Sequence, residues 1–330
     1  MISIITCAYR PEEEVFKLLL RSVERLKWPE GIQVEYIIVD NAGGLKNLSY
    51  VQDFINHNTW TRIIEETKPG VTQARLGGLK ESKGILLIFF DQDNEPAENY
   101  LVEAQKTFTR NPGLAVCGPG HVNVVFTGEA EPWVKKYAKE MMQELHMQQE
   151  SYTKDALHFP YPPYGTGMIV TRTAMEKYKQ HVDAGEFRVT DRSGSNLTSG
   201  GDLQIVFSAS KQEYLVGRTP KLELNHLIPS SRSTFRYIRS FSYGNGLQTF
   251  PVVAQAYPDE VTPARNGFYE NMLFMYQCCR EFLQQTLLKR NRRMMICKIA
   301  ALVAFKEGQF GFYDRKPPFL IATAKKLMHL

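Results

Sequence analysis

Two carboxylates one residue apart, Asp91 and Asp93, follow the apolar run Ile85-Leu86-Leu87-Ile88-Phe89-Phe90. Like charges so close repel and raise each other's pKa, so the pair is a poor device for stability. A hard divalent cation relieves the repulsion, and oxygen ligands suit Mg2+ or Mn2+. An Asp-x-Asp alone is a weak motif, and a solvated turn capping a helix at Pro96 is the alternative. Asp40 ends another apolar run, Ile37-Ile38-Val39. Its carboxylate could accept a hydrogen bond from a nucleotide base or ribose, or close an Asx turn into Gly43-Gly44. Arg75, taken alone, reads as a surface cation, and Asp202, after Gly200-Gly201, as a helix N-cap.

Elements with a parallel-sheet pattern must position these groups. Apolar, β-branched runs predict strands at 2–6, 34–39, 61–65, 85–90 and 114–117. Helical patterns between them cover 11–27, 47–58, 71–83 and 96–110, the last with Pro96 in its first turn. Continuous apolar strands alternating with helices predict a largely parallel α/β sheet covered on both faces. Ligands of such sheets sit beyond the strands' C-terminal ends, where Thr6–Arg10, Asp40–Gly44 and Asp91–Glu95 gather. Further on, a helix is expected near 131–150, a Pro/Tyr-rich loop at 158–165 and a strand at 166–171. A polar loop at 190–201, a helix near 202–211 and a strand at 214–217 follow, and the chain beyond about Arg265 reads as almost wholly helical.

Composition narrows the class. The 330 residues are 43% hydrophobic and 23% charged, ordinary globular values. Five cysteines without a CxxC pair suit a reducing compartment rather than a disulfide framework. No signal peptide is expected ahead of the opening strand, and no run of 18 apolar residues is present. The first strand–helix turn, Thr6-Cys7-Ala8-Tyr9-Arg10-Pro11, lacks GxGxxG, and no GxxxxGK[ST] occurs, which disfavours NAD enzymes and P-loop ATPases.

Taken together, ISIITCAYRP, YIIVDNAGG, GVTQARLGGLKESKGILLIFFDQDN, YGTGMIVTR and SGGDLQIVFSASK resemble a family 2 glycosyltransferase of the GT-A fold, over about residues 1–239. The resemblance implies a Rossmann-like α/β catalytic domain at 1–264, with a nucleotide-binding half at 1–120 and an acceptor-binding half at 121–264. It implies a metal-dependent, inverting hexosyl transfer from a nucleotide-diphosphate sugar, a UDP-sugar by first expectation, to a glycan or lipid-linked hydroxyl in polysaccharide biosynthesis. Mn2+ or Mg2+ would be held by Asp93 and Asp91, with His226 as a third ligand or as a structural histidine. Thr6, Cys7, Tyr9, Asp40, Arg75, Asp91 and Gln92 would line the nucleotide-sugar site. Arg232 would clamp the diphosphate through its planar fork, with Arg236 and Arg239 as further cations. Asp202 would be the catalytic base. The family's usual Glu before it is Gly201 here, many members' Ser or Thr is Ala8, and Gln92 separates the acidic pair. A sugar nucleotidyltransferase and an inactive glycosyltransferase-like scaffold are the alternatives. The first would need a triphosphate-binding Gly-rich loop, which the sequence lacks.

The net charge of +5 is uneven. Residues 265–330 hold 12 Lys and Arg against 4 Asp and Glu, a net of +8, densest at Lys289-Arg290-Asn291-Arg292-Arg293. A basic segment beside the apolar stretch Met294–Phe305 suits an anionic membrane surface, with a homodimer or packing on the catalytic domain as alternatives. The expected location is cytoplasmic, with peripheral contact at the inner face of the membrane. No nucleic-acid module is recognisable, and nucleic acid is not an expected partner.

Overall fold

The computed structural model describes residues 1–188, 197–264 and 267–328. Residues 190–196 of the expected polar loop, and Arg265, lie outside the described residues. In chain order the elements are β1 (Ile2–Ala8), α1 (Glu13–Glu24), β2 (Val34–Asp40), α2 (Ser49–His57), β3 (Thr61–Glu65), α3 (Val71–Glu81), β4 (Leu86–Phe89), β5 (Asn94–Pro96), α4 (Tyr100–Arg110) and β6 (Leu114–Phe126). Then come α5 (Pro132–Tyr137), β7 (Leu145–His146), β8 (Ser151–Thr153), β9 (Met168–Thr171), α6 (Arg172–Asp183), α7 (Gly201–Ser210) and β10 (Leu215–Ile228). The chain ends in α8 (Phe235–Ala256), α9 (Gly267–Phe282), α10 (Arg292–Phe312) and α11 (Phe319–Leu327). Two compact units result. The first comprises Met1–Glu129, Lys139–Glu186 and Gly201–Pro229; the second comprises Ala130–Ala138, Phe187–Gly200 and Ser230–Leu330.

The first unit carries the sheet, in the order β3-β2-β1-β4-β9-β6-β10-β5. The expected parallel pairing joins β3, β2, β1 and β4. Beyond β4 the sheet becomes mixed: β9 runs antiparallel to both β4 and β6, while β6 and β10 are parallel. Every residue of β2 is buried, as is every residue of β1 except Cys7, so helices must cover both faces. α1 supplies one cover by turning Val15, Phe16, Leu19, Leu20 and Val23 inward at helical spacing. These side chains join Ile4, Tyr36, Ile38, Ile88 and Tyr100 in one core.

Several elements differ from expectation. β6 and β10 are 13 and 14 residues long, so His226 lies inside a strand and not past one. The expected helix over 131–150 is only α5, followed by a 3-10 turn at Glu140–Met142 and the short β7. Gln143 at φ +73° breaks the helical run there. Pro96 ends β5, and α4 starts four residues later at Tyr100, because 94–96 pair antiparallel with β10. α6 and α8 were not foreseen. α8 contains Gly244, Gly246 and Pro251 and has no single apolar face, which hides it from periodicity.

In the second unit α8 packs along α10. A Cβ on Gly246 would stand 2.5 Å from the Ala301 carbonyl oxygen, so the two helices come this close only through glycine. A small core of Ala264, Phe274, Val303, Phe310 and Ile321 closes the helical layer.

A buried carboxylate ties the parallel strands to the end of α3. Glu35 Oε1 accepts from Ser3 Oγ at 2.6 Å and from the Lys83 N–H at 2.5 Å, and its Oε2 accepts from Arg62 at 2.6 Å. Burial raises its pKa, but the bonds from Ser3, Lys83 and Arg62 outweigh this and hold it below the ordinary glutamate range. A lowered folded-state pKa makes the contribution complete above the unfolded value and lost as pH falls through the lowered one. Glu35→Ala should lower stability by about 2–4 kcal/mol at neutral pH, because buried donors are left unsatisfied. The difference from wild type should shrink in urea melts taken progressively below the ordinary glutamate pKa.

Candidate active site

The pairing of β5 with β10 sets His226 opposite Asn94, next to Asp93. The Leu227 N–H donates to the Asp93 carbonyl at 2.8 Å and locks this register. His226 Nε2 then lies 3.7 Å from Asp93 Oδ1, with both side chains about nine-tenths buried. The Met142 carbonyl sits 2.8 Å from His226 Nδ1. A carbonyl only accepts, so Nδ1 carries a hydrogen and Nε2 is the ring nitrogen that faces the carboxylate. This is the usual way a backbone acceptor orients a metal-ligating imidazole. Two ligands of one Mg2+ or Mn2+, with bonds of about 2.1 Å, stand about 3–4 Å apart, so the pair fits such an ion.

Asp91 occupies a different position. It stands 4.0 Å from the Arg75 guanidinium and accepts from Thr166 Oγ1 at 3.2 Å. Among the described residues no three His, Cys, Asp or Glu side chains converge on one point, so Asp93 and His226 come together without Asp91 completing a cage. Arg75, expected near the base, is buried on α3 and donates to Asp202 Oδ1. Asp202 lies in the first turn of α7, and its Oδ2 accepts the Gly165 N–H at 2.7 Å. A Cβ on Gly165 would meet the Arg75 guanidinium and lie 2.9 Å from Asp202 Oδ1, so only glycine admits this pair. Cys7 stands beside Arg75, Asp91 and Asp202. Burial pushes its thiol pKa up to about 12, against the pull of Arg75, and it stays neutral near pH 7.

The remaining expected residues fall around this cluster or apart from it. The Tyr9 N–H donates to Gln92 Oε1 at 2.8 Å, joining the first strand–helix turn to the acidic loop. Thr6 is buried and accepts from the Tyr36 hydroxyl at 3.0 Å. Asp40 is 1% exposed and accepts from the N–H groups of Ala42, Gly43 and Leu45, which is the Asx-turn alternative. Arg232 lies in a 3-10 turn of the second unit, and Arg236 and Arg239 lie on α8 of the same unit.

The sequence profile described as glycosyl transferase family 2 matches residues 3–193, more than half of the chain. The chain belongs to glycosyl transferase family 2. It is therefore a glycosyltransferase, with the GT-A fold and a C-terminal helical part. Among solved structures it is similar to the mannosyltransferase PcManGT from Pyrobaculum calidifontis in complex with GDP-Man and Mn2+, at 15% identity and a TM-score of 0.52, covering 100% of this chain and 80% of that one. It is also similar to GalNAc-T7 with UDP, GalNAc and Mn2+, at 13% identity and a TM-score of 0.51, covering 78% of this chain. The match spans about half, 52%, of GalNAc-T7. The likeness to S. aureus TarS 1-349 has 14% identity and a TM-score of 0.48, over 93% of this chain and 80% of that one. No curated protein matches the chain.

Three residues to which sequence reasoning gave no role shape the candidate site. Gly165 and Thr166 touch Asp202 and Asp91, and the Gly-Thr-Gly between Tyr164 and Met168 is the signal that could have found them. Arg218 is buried on β10 and donates to the carbonyls of Pro119, Tyr161 and Pro162, fixing the loop that ends at Gly165. Burial pushes its pKa down to about 10, so it remains a cation at neutral pH, solvated by backbone oxygens. Nothing in its sequence surroundings marks it.

Gly165→Ala should displace the Arg75 guanidinium by about 1 Å and disturb Asp202 with it. Turnover is expected to fall about 100-fold, the scale of such a misplacement, while circular dichroism still shows a cooperatively folded protein.

Proposed function

We propose that this glycosyltransferase moves a hexosyl group, with inversion, from a nucleotide-diphosphate sugar to a hydroxyl of a glycan or lipid-linked acceptor, with a divalent metal ion. The observation that carries the reading is the pairing of Asp93 with an imidazole whose Nε2 is turned toward it by the Met142 carbonyl on Nδ1, in the same unit as the Asp91–Arg75–Asp202 cluster. Mn2+ in the PcManGT and GalNAc-T7 structures supports the same choice of ion. UDP and GDP-Man in those structures support a nucleotide-sugar donor without choosing the base.

Asp93 and His226 would hold the ion, with the donor's phosphates as its further ligands. When bound, the ion would neutralise the charge that grows on the leaving diphosphate. Tyr9 and Gln92, linked at the end of β1, would border the nucleotide with Thr6 and Cys7. Asp40 would act there through the turn it holds, by presenting Gly43 and Gly44. Arg75 would act in this reading on both carboxylates: it would orient Asp202 and, with the Thr166 hydroxyl, hold Asp91. Asp202 would accept the proton of the acceptor hydroxyl on one of its carboxylate oxygens as that hydroxyl attacks the anomeric carbon. Gly201 in place of the family's usual Glu leaves this oxygen pair intact. Arg232 remains a proposed diphosphate clamp. Residues 1–120 serve as the nucleotide half and 121–264 as the acceptor half in this reading.

Asp202→Asn should cut transfer about 10²–10⁴-fold, the usual cost of losing a general base, with donor affinity by calorimetry nearly unchanged. Full transfer by that variant would remove Asp202 from the role. Asp93→Ala should instead abolish the gain in donor affinity that Mn2+ gives. Equal affinities with and without Mn2+ in the wild-type protein would contradict the metal assignment.

A further inference from the structure

In the second unit, α9 and the π-helical turn after it (Leu283–Leu288) carry an apolar outer face that the fold does not cover. Phe268, Met272, Tyr276, Leu283 and Leu287 recur at helical spacing and are 78, 52, 64, 53 and 59% exposed. Leu288 at the tip is 80% exposed, and Lys289, Arg290 and Arg292 beside it are exposed as well. The carboxylates of this stretch are both turned inward. Glu270 is buried against Lys306 at 2.6 Å, and Glu281 is buried against Arg280 and Lys298, each at 3.4 Å. From Gly267 to Arg293 the outer surface is therefore apolar and cationic, with no negative group of its own. Among the described residues, Arg293 alone of its cations meets a carboxylate from elsewhere, Glu131 at 2.8 Å.

We propose that this face of α9, with the basic turn at its end, docks the protein on an anionic lipid bilayer. A helix with an apolar face, aromatic residues and flanking cations lies in the plane of the headgroups, and anionic lipids answer the cations. The 22 residues from Gly267 to Leu288 extend about 33 Å along such a surface at the helical rise. No helix among the described residues is long and apolar enough to cross a membrane, so the contact is interfacial. A second copy is the poorer occupant: pairing the same face with itself supplies no carboxylate to meet Lys289, Arg290 and Arg292. The proposal is independent of the donor and the base assigned above, since none of its residues belongs to that cluster.

The test is co-sedimentation of the full chain with phosphatidylcholine vesicles and with vesicles enriched in phosphatidylglycerol. The protein should sediment with the anionic vesicles and be released by high salt. Lys289→Ala with Arg290→Ala should weaken partition about 25-fold, since each cation near an anionic surface is worth about fivefold. Tyr276→Ser with Leu287→Ser should weaken it as well, and in both variants an unchanged melting temperature would show an intact fold. Equal partition onto both vesicle types, or no binding to either, overturns the proposal. So does a concentration-dependent dimer in sedimentation velocity that Leu287→Ser abolishes while vesicle binding is unaffected.

Discussion

The guanidinium of Arg75 is buried, and a buried cation is tolerable only where anions and polarisable groups are brought to it. Three elements are constrained by that requirement. α3 delivers the charge, α7 delivers Asp202, and the end of β4 delivers Asp91, with the Phe89 ring 5.8 Å from the guanidinium. Gly165 yields the volume that their convergence needs. A chain that satisfies this one cation has already gathered a carboxylate from α7 and a carboxylate from the acidic loop into one unit.

Strand register does the corresponding work for Asp93. β10 is long enough to pair with β6, β8 and β5, and the residue that it sets against the acidic loop is His226. A slip of one residue would turn the imidazole to the opposite face of the sheet and away from the Met142 carbonyl. Sheet pairing and imidazole tautomer are thus fixed by the same few backbone contacts. The family and the glycosyltransferase class follow from residues 3–193, whereas His226 itself lies on β10, beyond that span, and is placed by pairing with strands inside it.

The parallel strands and the Asp-x-Asp at the mouth of β4 were legible because apolar runs and abrupt polar ends are local signals. Asp93 stood out for the same reason, whereas Asp202 read alone as a helix N-cap and gained a chemical role only from the family resemblance. Long-range features were not legible. β6 and β10 continue as strands through polar residues such as Asn123, Glu223 and Asn225, whose side chains satisfy one another across the pair. The alternation they carry, Val122-Asn123-Val124 and Leu222-Glu223-Leu224, is short and is preceded by Pro119 and Pro220, which break the pattern. The stretch after Pro132 has the composition of a helix, yet the fold uses it to present the Met142 carbonyl, and a left-handed Gln143 overrides local propensity. Arg75 looked like a surface cation because nothing on its own helix reveals a partner 127 residues away. Asp40 illustrates the reverse case, where a residue that invites a ligand reading is consumed by its own turn.

Arg218 grips the loop before Gly165 through main-chain oxygens, and the Tyr164 ring stands 5.0 Å from its guanidinium. A clamp on main-chain atoms is largely indifferent to which side chains the clamped segment carries. Tyr161, exposed on that loop and held by Arg218 through its carbonyl, can therefore be exchanged during divergence without disturbing the geometry delivered to Asp202. The architecture separates what may vary, the chemical character of the rim, from what must persist, the path of the main chain beneath it.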